Sequence, residues 1–183
     1  NNLTFNNGTS STTLYDDSLV LMMNFDNVSE IGDTASVVKD VSKYGNNGTM
    51  INGATYNVSG KYGSAGQFDG VNDKLNTSSA FSYGFTNKMT VTAWINPSTL
   101  IGARVIAAQR AGCAVGIWQF YATSGSGYYF NFWDTAGTAR ECQSAYTLST
   151  NQWQFVTANY NGSNINLYVN GNNVYSCSFS QNI

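Results

Sequence analysis

Apolar and polar residues alternate along much of the chain, with the period of two that is typical of half-buried β-strands. The clearest example is residues 89–95, in which Trp94 lies on the face opposite the regular apolar series. The position of Trp94 predicts that the second face of this strand is either covered by other parts of the protein or is a binding surface. No segment shows a convincing helical period, so the pattern predicts an all-β sandwich. We expect further strands, with Phe68 pointing inward, at residues 18–25, 66–74, 104–110, 115–122, 128–133, 153–160, 165–169 and 173–179.

Asparagine and glycine mark the turns between these strands. Residues 124–127 and 134–137 separate apolar segments at hairpin spacing, and Asn170 with Gly171 follows the segment 165–169. Both residue types adopt a left-handed backbone at low cost, which tight hairpins require. The 18 glycines against a single proline therefore fit a chain of many short strands.

The 183 residues are enough for one domain with a substantial core. Residues 1–17 are mostly polar, with Leu3 and Phe5 among their few large apolar side chains, so we interpret them as a polar linker or a strand-donating arm. The domain itself is predicted at 18–183.

No segment has the roughly 18 continuous apolar residues of a membrane span. The polar start without Met is interpreted as that of a mature fragment.

The charged residues, the histidine count and the cysteines limit which partners, metal ligands and disulfides are possible. Eight basic and ten acidic residues give a net charge of −2 without a basic run, which argues against a nucleic-acid partner. The chain has no histidine to serve as a metal ligand. Cys113, Cys142 and Cys177 allow one disulfide with a spare thiol, in any of three pairings, or three buried thiols.

The order of several short segments resembles a laminin-G-like, concanavalin A-like jelly roll. These are the apolar run at 18–25, the loop 40–49, Phe68 to Gly70 followed by Asp73, the strand with Trp94, and residues 151–171. The resemblance implies a two-sheet antiparallel jelly-roll sandwich located outside the cell or at its surface. The family has one more strand after the last hairpin, which residues 177–183 do not supply. An open sheet edge of this kind favours strand addition and self-association.

The resemblance therefore predicts a non-catalytic binding or adhesion module for a glycan or a cell-surface protein, with calcium as a brace. The alternative is a structural cell-surface or filament subunit that assembles by strand complementation. A glycoside hydrolase is a distant alternative, because such enzymes need two closely spaced carboxylates. Glu30 and Glu141 are the only glutamates and lie far apart in the sequence. We therefore expect that the chain is not an enzyme.

Two groups of side chains are candidates for binding. Calcium prefers oxygen ligands, and the candidates are Asp26, Asp40, Asp69, Asn72 and Asp73. The competing interpretation is that these side chains cap turns, with an Asx turn from Asp40 to Ser42. The aromatic strands offer a platform on which sugar rings would stack, with predicted ligand-binding residues Trp118, Tyr121, Tyr129, Trp133, Asn131 and Arg140. The competing interpretation is that both faces of these strands are core and that Arg140 is solvated or ion-paired.

Acceptor sequences for N-glycosylation occur seven times, slightly more often than chance predicts from this composition. Most fall in predicted turns, which suits a glycoprotein. They begin at Asn2, Asn7, Asn27, Asn47, Asn57, Asn76 and Asn161.

Overall fold

The computed structural model describes residues 4–6, 8–9, 11–13, 17–77, 88–109, 118–124, 127–134 and 137–179. The chain forms two compact units, Asn1–Ser79 and Ala80–Ile183, which we describe separately. The described residues contain fifteen strands and one short 3₁₀ turn at Ser29–Ile31. None of their helices is long and apolar enough to cross a membrane. The predicted division into an arm at 1–17 and a domain from residue 18 stays a prediction.

The first unit contains seven short strands and a small core. Two hairpins, β1–β2 and β5–β6, accompany an antiparallel sheet of order β3-β4-β7. The buried residues Val38, Met50 and Ala54 form the core, and Phe25 is among the residues that pack against them. The strands are β1 (Thr4–Asn6), β2 (Ser11–Thr13), β3 (Val37–Val38), β4 (Gly48–Ile51), β5 (Thr55–Asn57), β6 (Ala65–Gln67) and β7 (Lys74–Thr77).

Two predictions for this unit are wrong. Residues 18–25 form no strand. The Met22 N–H donates to Asp40 Oδ1 at 2.9 Å, the Met22 carbonyl accepts from the Val41 N–H, and Phe25 has a positive φ of 59°. These partners are a side chain and a loop, so the apolar run joins no sheet. Phe68 is exposed rather than inward, because β6 ends at the preceding residue and a loop follows.

The second unit contains two four-stranded antiparallel sheets. The aromatic sheet has the order β12-β11-β10-β9, and the neutral sheet has the order β15-β14-β13-β8. We use the second name because none of its strands contains Asp, Glu, Lys or Arg. The strands are β8 (Met89–Ile95), β9 (Arg104–Gln109), β10 (Trp118–Thr123), β11 (Gly127–Trp133), β12 (Ala139–Ser144), β13 (Gln154–Tyr160), β14 (Asn164–Val169) and β15 (Asn172–Ser178).

One core lies between these two sheets and follows the alternation of their strands. The aromatic sheet contributes Phe120, Tyr128, Phe130 and Phe132 among others, and the neutral sheet contributes every second residue of β13 and β14. The Tyr128 hydroxyl donates to the Tyr168 carbonyl at 2.7 Å, which connects the sheets by a hydrogen bond. The prediction of an all-β, two-sheet antiparallel sandwich is therefore confirmed.

A disulfide closes one side of this sandwich. Cys142 of β12 bonds to Cys177 of β15, with 5.6 Å between their Cα atoms. Both are edge strands of their sheets, so the bond joins the sheets at one edge. This selects one of the pairings that the sequence left open, and Cys113 lies outside the described residues.

Two turns show why their residues were recognisable from the sequence. Asn170 and Gly171 both have positive φ, at 51° and 82°, as the hairpin turn requires. The Asn170 side chain also accepts the Phe155 N–H at 2.9 Å and so ties this turn to β13. At Gly127, φ is 86° and a Cβ atom would lie 1.5 Å from the Ser144 carbonyl oxygen, so only glycine fits there.

Candidate ligand-binding faces and acidic loops

Strand alternation divides the predicted aromatic platform between two faces. Tyr121, Tyr129, Asn131 and Trp133 lie on the outer face of the aromatic sheet. Trp118 lies on the opposite face, where it packs against the core with its ring centroid 6.1 Å from that of Phe130. The odd spacing between positions 118 and 121 is the reason, because successive strand residues point to opposite faces. The six predicted residues therefore do not form one surface.

The outer face of the aromatic sheet has a stacked pair of tyrosines at its centre. The Tyr121 and Tyr129 rings are parallel within 3°, with centroids 4.8 Å apart. The Tyr121 hydroxyl donates to Glu141 Oε2 at 3.0 Å. Burial, with a smaller contribution from the Glu141 carboxylate, raises the pKa of Tyr121 to about 12. This tyrosine is therefore neutral and fixed as a donor under ordinary conditions.

The middle of that face is covered. Tyr129 is only 8% exposed and Asn131 only 7%, so neither presents a surface on which a sugar ring would stack. Asn131 Oδ1 is buried and accepts no hydrogen bond within the described part of the chain. A ligand role for Tyr121, Tyr129, Asn131 and Trp133 stays a prediction, and the burial of two of them does not favour an open platform.

Arg140 belongs to the β11–β12 hairpin. Its Nε and Nη2 atoms lie 2.9 and 2.8 Å from Asp134 Oδ2, and the Thr138 N–H donates to the other carboxylate oxygen. The Asp134 side chain is almost fully buried, so this ion pair fixes Arg140 of β12 beside the residue that follows β11. The structure thus matches the ion-paired interpretation of Arg140, and a ligand role for it stays a prediction.

Asp40 organises a loop of the first unit. Its carboxylate accepts four hydrogen bonds, from the backbone of Met22, Ser42 and Asn46 and from the Ser42 hydroxyl, at 2.7–2.9 Å. A carboxylate has about four lone-pair sites, so none remains for a cation. Asp40 therefore forms the predicted Asx turn and does not fit a calcium ligand in this arrangement.

The loop Asp69–Asp73 fits calcium better. Asp69 Oδ1 accepts the Val71 N–H at 2.8 Å, a bond that lowers the pKa of the Asp69 carboxyl. Asp73 Oδ2 accepts the Asp69 N–H at 2.9 Å, whereas its Oδ1 is buried and accepts no hydrogen bond from the described residues. Asp69 Oδ2 and Asp73 Oδ1 thus keep lone pairs for a cation. The Asn72 side-chain amide lies in the same loop.

The five predicted calcium ligands do not form one cluster. Asp26 accepts the Ser64 N–H at 3.2 Å in a different loop. No group of three or more Asp, Glu, His or Cys side chains suited to a metal occurs among the described residues. Calcium binding therefore stays a prediction. These contacts reduce the candidate ligands to Asp69, Asn72 and Asp73, and a calcium ion there would need further oxygen ligands.

The predicted glycosylation sites differ in accessibility. Asn27, Asn76 and Asn161 are exposed, and Asn47 and Asn57 are half-buried. Asn2 and Asn7 lie outside the residues whose side chains are described. Modification of any of them stays a prediction.

The outer face of the neutral sheet was not among the predicted sites. Trp94 of β8 is 38% exposed, and its ring centroid lies 5.3 Å from that of its cross-strand neighbour Phe155. No outward side chain of this sheet is buried. The sequence contained the signal, because the alternation of residues 89–95 places Trp94 on the second face.

Polar side chains continue this face beyond the aromatic pair. The register aligns them in two rows across the four strands. Neighbours within the second row bond to each other, as in the 2.8 Å bond from Asn159 Nδ2 to Thr90 Oγ1 and the 2.9 Å bond from Ser176 Oγ to Asn166 Oδ1. The rows are Thr92, Thr157, Tyr168 and Asn173, and then Thr90, Asn159, Asn166 and Ser176.

Comparison with known proteins places this sandwich in a family. A laminin-G family model, described as the concanavalin A-like lectin/glucanases superfamily, matches residues 68–183. The chain belongs to this superfamily. The family predicted from the short sequence segments is thus confirmed. A search of the curated proteins gives no match.

Two solved structures are similar in fold. One is an S-layer domain-containing protein (residues 221–444) from Clostridium thermocellum ATCC 27405, with 22% identity and a TM-score of 0.54 over 86% of this chain and 71% of that one. The other is domain 4 of AbnA, a GH43 extracellular arabinanase from Geobacillus stearothermophilus, in complex with arabinotriose. It has 16% identity and a TM-score of 0.57 over 89% of this chain and 76% of that one. At these identities the likeness shows the fold alone.

Proposed function

We propose that this chain is a non-catalytic carbohydrate-binding module that acts outside the cell or at its surface. The observation that carries the proposal is the outer face of the neutral sheet, where the exposed Trp94 rests on Phe155 beside rows of Thr, Asn and Ser. An exposed aromatic ring offers the apolar surface on which the C–H face of a sugar stacks. Amides and hydroxyls offer donors and acceptors for the sugar hydroxyls. The face combines the two contacts that a carbohydrate needs.

The similar structures support the class of ligand and the location. One of them is a domain of an extracellular arabinanase in complex with arabinotriose, and the other comes from an S-layer domain-containing protein. Both descriptions fit a module that places its protein on a glycan or a cell surface.

The carboxylates of the second unit support a non-catalytic role. Glu141 accepts the Tyr121 hydroxyl, and Asp134 is buried in its pair with Arg140. Hydrolysis of a glycosidic bond needs one carboxylic acid to donate a proton and a second carboxylate opposite it. Neither group lies on the neutral sheet, so its four strands present no such pair to a bound sugar.

We further propose that calcium braces the loop Asp69–Asp73 rather than contacting the ligand. Asp69, Asp73 and Asn72 would hold the ion, which would neutralise two neighbouring carboxylates and supply a partner for Asp73 Oδ1. Calcium should then raise the melting temperature of the protein, because an ion that binds only the native state stabilises it. Asp73→Asn should abolish that rise, whereas Asp26→Asn should not.

A structural cell-surface subunit is the second candidate function. The edge strand β8 has only β13 as a hydrogen-bonded neighbour among the described strands, and it contains no charged residue or proline to discourage pairing. The similarity to an S-layer domain-containing protein also fits this function. Within the predicted strand-donating arm, residues 1–17, β1 and β2 pair with each other as a hairpin. Concentration-dependent assemblies that disappear on deletion of residues 1–17 would favour this candidate.

The test of the binding function is the retention of the protein on a panel of polysaccharides in native affinity gels. We expect Trp94→Ala to weaken retention about tenfold or more, as loss of a central aromatic contact does. Tyr62→Ala removes an even more accessible aromatic from the first unit and should leave retention unchanged. Equal retention of the wild type and Trp94→Ala would contradict the assigned site, and no retention on any polysaccharide would contradict the function.

A further inference from the structure

We propose that the outer face of the neutral sheet takes an uncharged polysaccharide and binds it without calcium or ionic contacts. This inference rests on the proposed function and specifies its ligand. Its basis is the composition of the face and the hydrogen bonds that connect its side chains.

The four strands of the face offer no ionic partner for a ligand, and the exposed Lys88 lies just before β8. None of β8, β13, β14 and β15 contains an acidic or basic side chain. Recognition of uronate, sulfate or phosphate groups relies on Arg or Lys, which form short charge-assisted hydrogen bonds. Binding through a calcium ion needs carboxylate ligands. This face can provide neither, so its ligand has to be recognised through stacking and neutral hydrogen bonds.

The neutral hydrogen-bonding groups are held in position before a ligand arrives. Asn159 donates to Thr90, Ser176 donates to Asn166, and Asn173 Nδ2 donates to Ser176 Oγ at 3.2 Å. Each amide carries two N–H donors and an oxygen with two lone pairs, so one such bond leaves further positions for a ligand. Because the side chains are already ordered, a bound sugar orders fewer of them, which favours affinity.

The arrangement favours a glycan over a protein partner. Protein interfaces take most of their binding energy from buried aromatic and arginine side chains, and Ser and Thr rarely contribute much to it. Here hydroxyls and amides make up most of two rows, and Trp94 is the most exposed of the outward aromatic residues, ahead of the half-buried Phe155 and Tyr168. Tyr175 of β15 is also exposed, but the register places it opposite the inward Leu167. A chain of sugars presents many hydroxyls at regular intervals and can engage the rows together.

The face also predicts how binding responds to conditions. Salt weakens attraction between charges, and it has little effect where no charges meet. None of the four strands contains Asp, Glu, His, Lys or Arg, the residue types that carry a charge or gain one near neutral pH. Retention of a neutral polysaccharide should therefore be the same with calcium or a chelator, at low salt or ~0.5 M NaCl, and between about pH 5 and pH 9.

The experiment compares retention on neutral arabinan, xylan and mixed-linkage β-glucan with retention on acidic polygalacturonate and heparin, each with EDTA or ~0.5 M NaCl. We expect retention on at least one neutral polysaccharide and on neither acidic one, unchanged by EDTA or salt. Asn159→Val should reduce it about tenfold. Asn76→Val, an exposed strand asparagine of the first unit, should not.

The outcomes separate the two proposals. Preference for an acidic polysaccharide, or release by EDTA or salt, would overturn this inference and leave a carbohydrate-binding function in place. Retention on neither class would overturn the function and the inference together. Thermal melting of each variant shows whether it is folded, and the EDTA and salt comparison on the wild type tests the inference even if Asn159→Val fails to fold.

Discussion

The two sheets of the second unit enclose the same core but differ on their outer faces. On the aromatic sheet the stacked Tyr121 and Tyr129 are accompanied by Glu141, and the centre of the face is buried. On the neutral sheet every outward side chain retains some exposure, and charged groups are missing from all four strands. The comparison shows that aromatic residues alone do not identify a binding face. The accessibility of the aromatic side chains is the second criterion, and of these two faces it favours the one with Trp94 as the binding face.

The largest expected effect concerns the core that both faces share. Cys142→Ser combined with Cys177→Ser should lower the free energy of unfolding by about 4 kcal/mol, because the disulfide closes a segment of 35 residues. Denaturant titration of the oxidised protein measures the change. The wild type with its disulfide reduced is the control and should lose about as much stability as the double variant. If the double variant is equally stable, the two edge strands are not held by this bond.

A second substitution tests whether Arg140 serves stability rather than binding. Arg140→Ala should destabilise the protein by about 2 kcal/mol, because it leaves the buried Asp134 carboxylate without its charged donor. Retention on polysaccharide should not change, because Arg140 lies on the aromatic sheet. Lost retention in a variant that still folds would instead support the predicted ligand role of Arg140.

The buried amide on the covered face permits a sharper comparison. Asn131 Oδ1 has no hydrogen-bond donor among the described residues, so Asn131→Leu should be neutral or stabilising by up to about 1 kcal/mol. Chemical denaturation of the variant provides the measurement. Destabilisation by about 2 kcal/mol or more would show that a water molecule or a ligand supplies the missing donor. That result would again support the predicted ligand-binding platform around Tyr121 on the aromatic sheet.

The smallest effect near neutral pH concerns tyrosine. The folded-state pKa of Tyr121 is raised to about 12, above the ordinary value of 10. Its contribution to stability is therefore fully present below pH 10 and is lost as the pH rises towards 12, because the unfolded state releases the proton first. Tyr121→Phe should flatten this alkaline decline in a series of unfolding curves. An unchanged slope between pH 10 and pH 12 would contradict the raised pKa.

The sequence was most informative where local rules determine the structure. Alternation located the strands of the sandwich, and Asn170 with Gly171 marked a turn that both residues form with positive φ. Alternation also separates Trp118 from Tyr121, so the division of the aromatic platform could be predicted. The run at 18–25 looked like a strand because it is apolar, but Asp40 and its loop supply its hydrogen-bond partners.

The remaining features depend on contacts between residues distant in the sequence. Cys142 and Cys177 meet because β12 and β15 are edge strands on the same side of the sandwich, which no local pattern encodes. The burial of Tyr129 and Asn131 likewise depends on what covers their strand. Asp40 could serve as a ligand or a turn cap by its sequence, and only its four hydrogen bonds decide for the cap.

The most direct test uses the indole N–H signals of the four tryptophans as reporters of the two sheets. An oligosaccharide of the neutral polysaccharide that retains the protein is titrated into isotope-labelled chain, and the signals are followed by NMR. The account predicts that the Trp94 signal moves, while those of Trp118 and Trp133 on the aromatic sheet do not. If the Trp133 indole signal and the backbone amide signal of Tyr121 moved while the Trp94 signal did not, the assignment of binding to the neutral sheet would be contradicted.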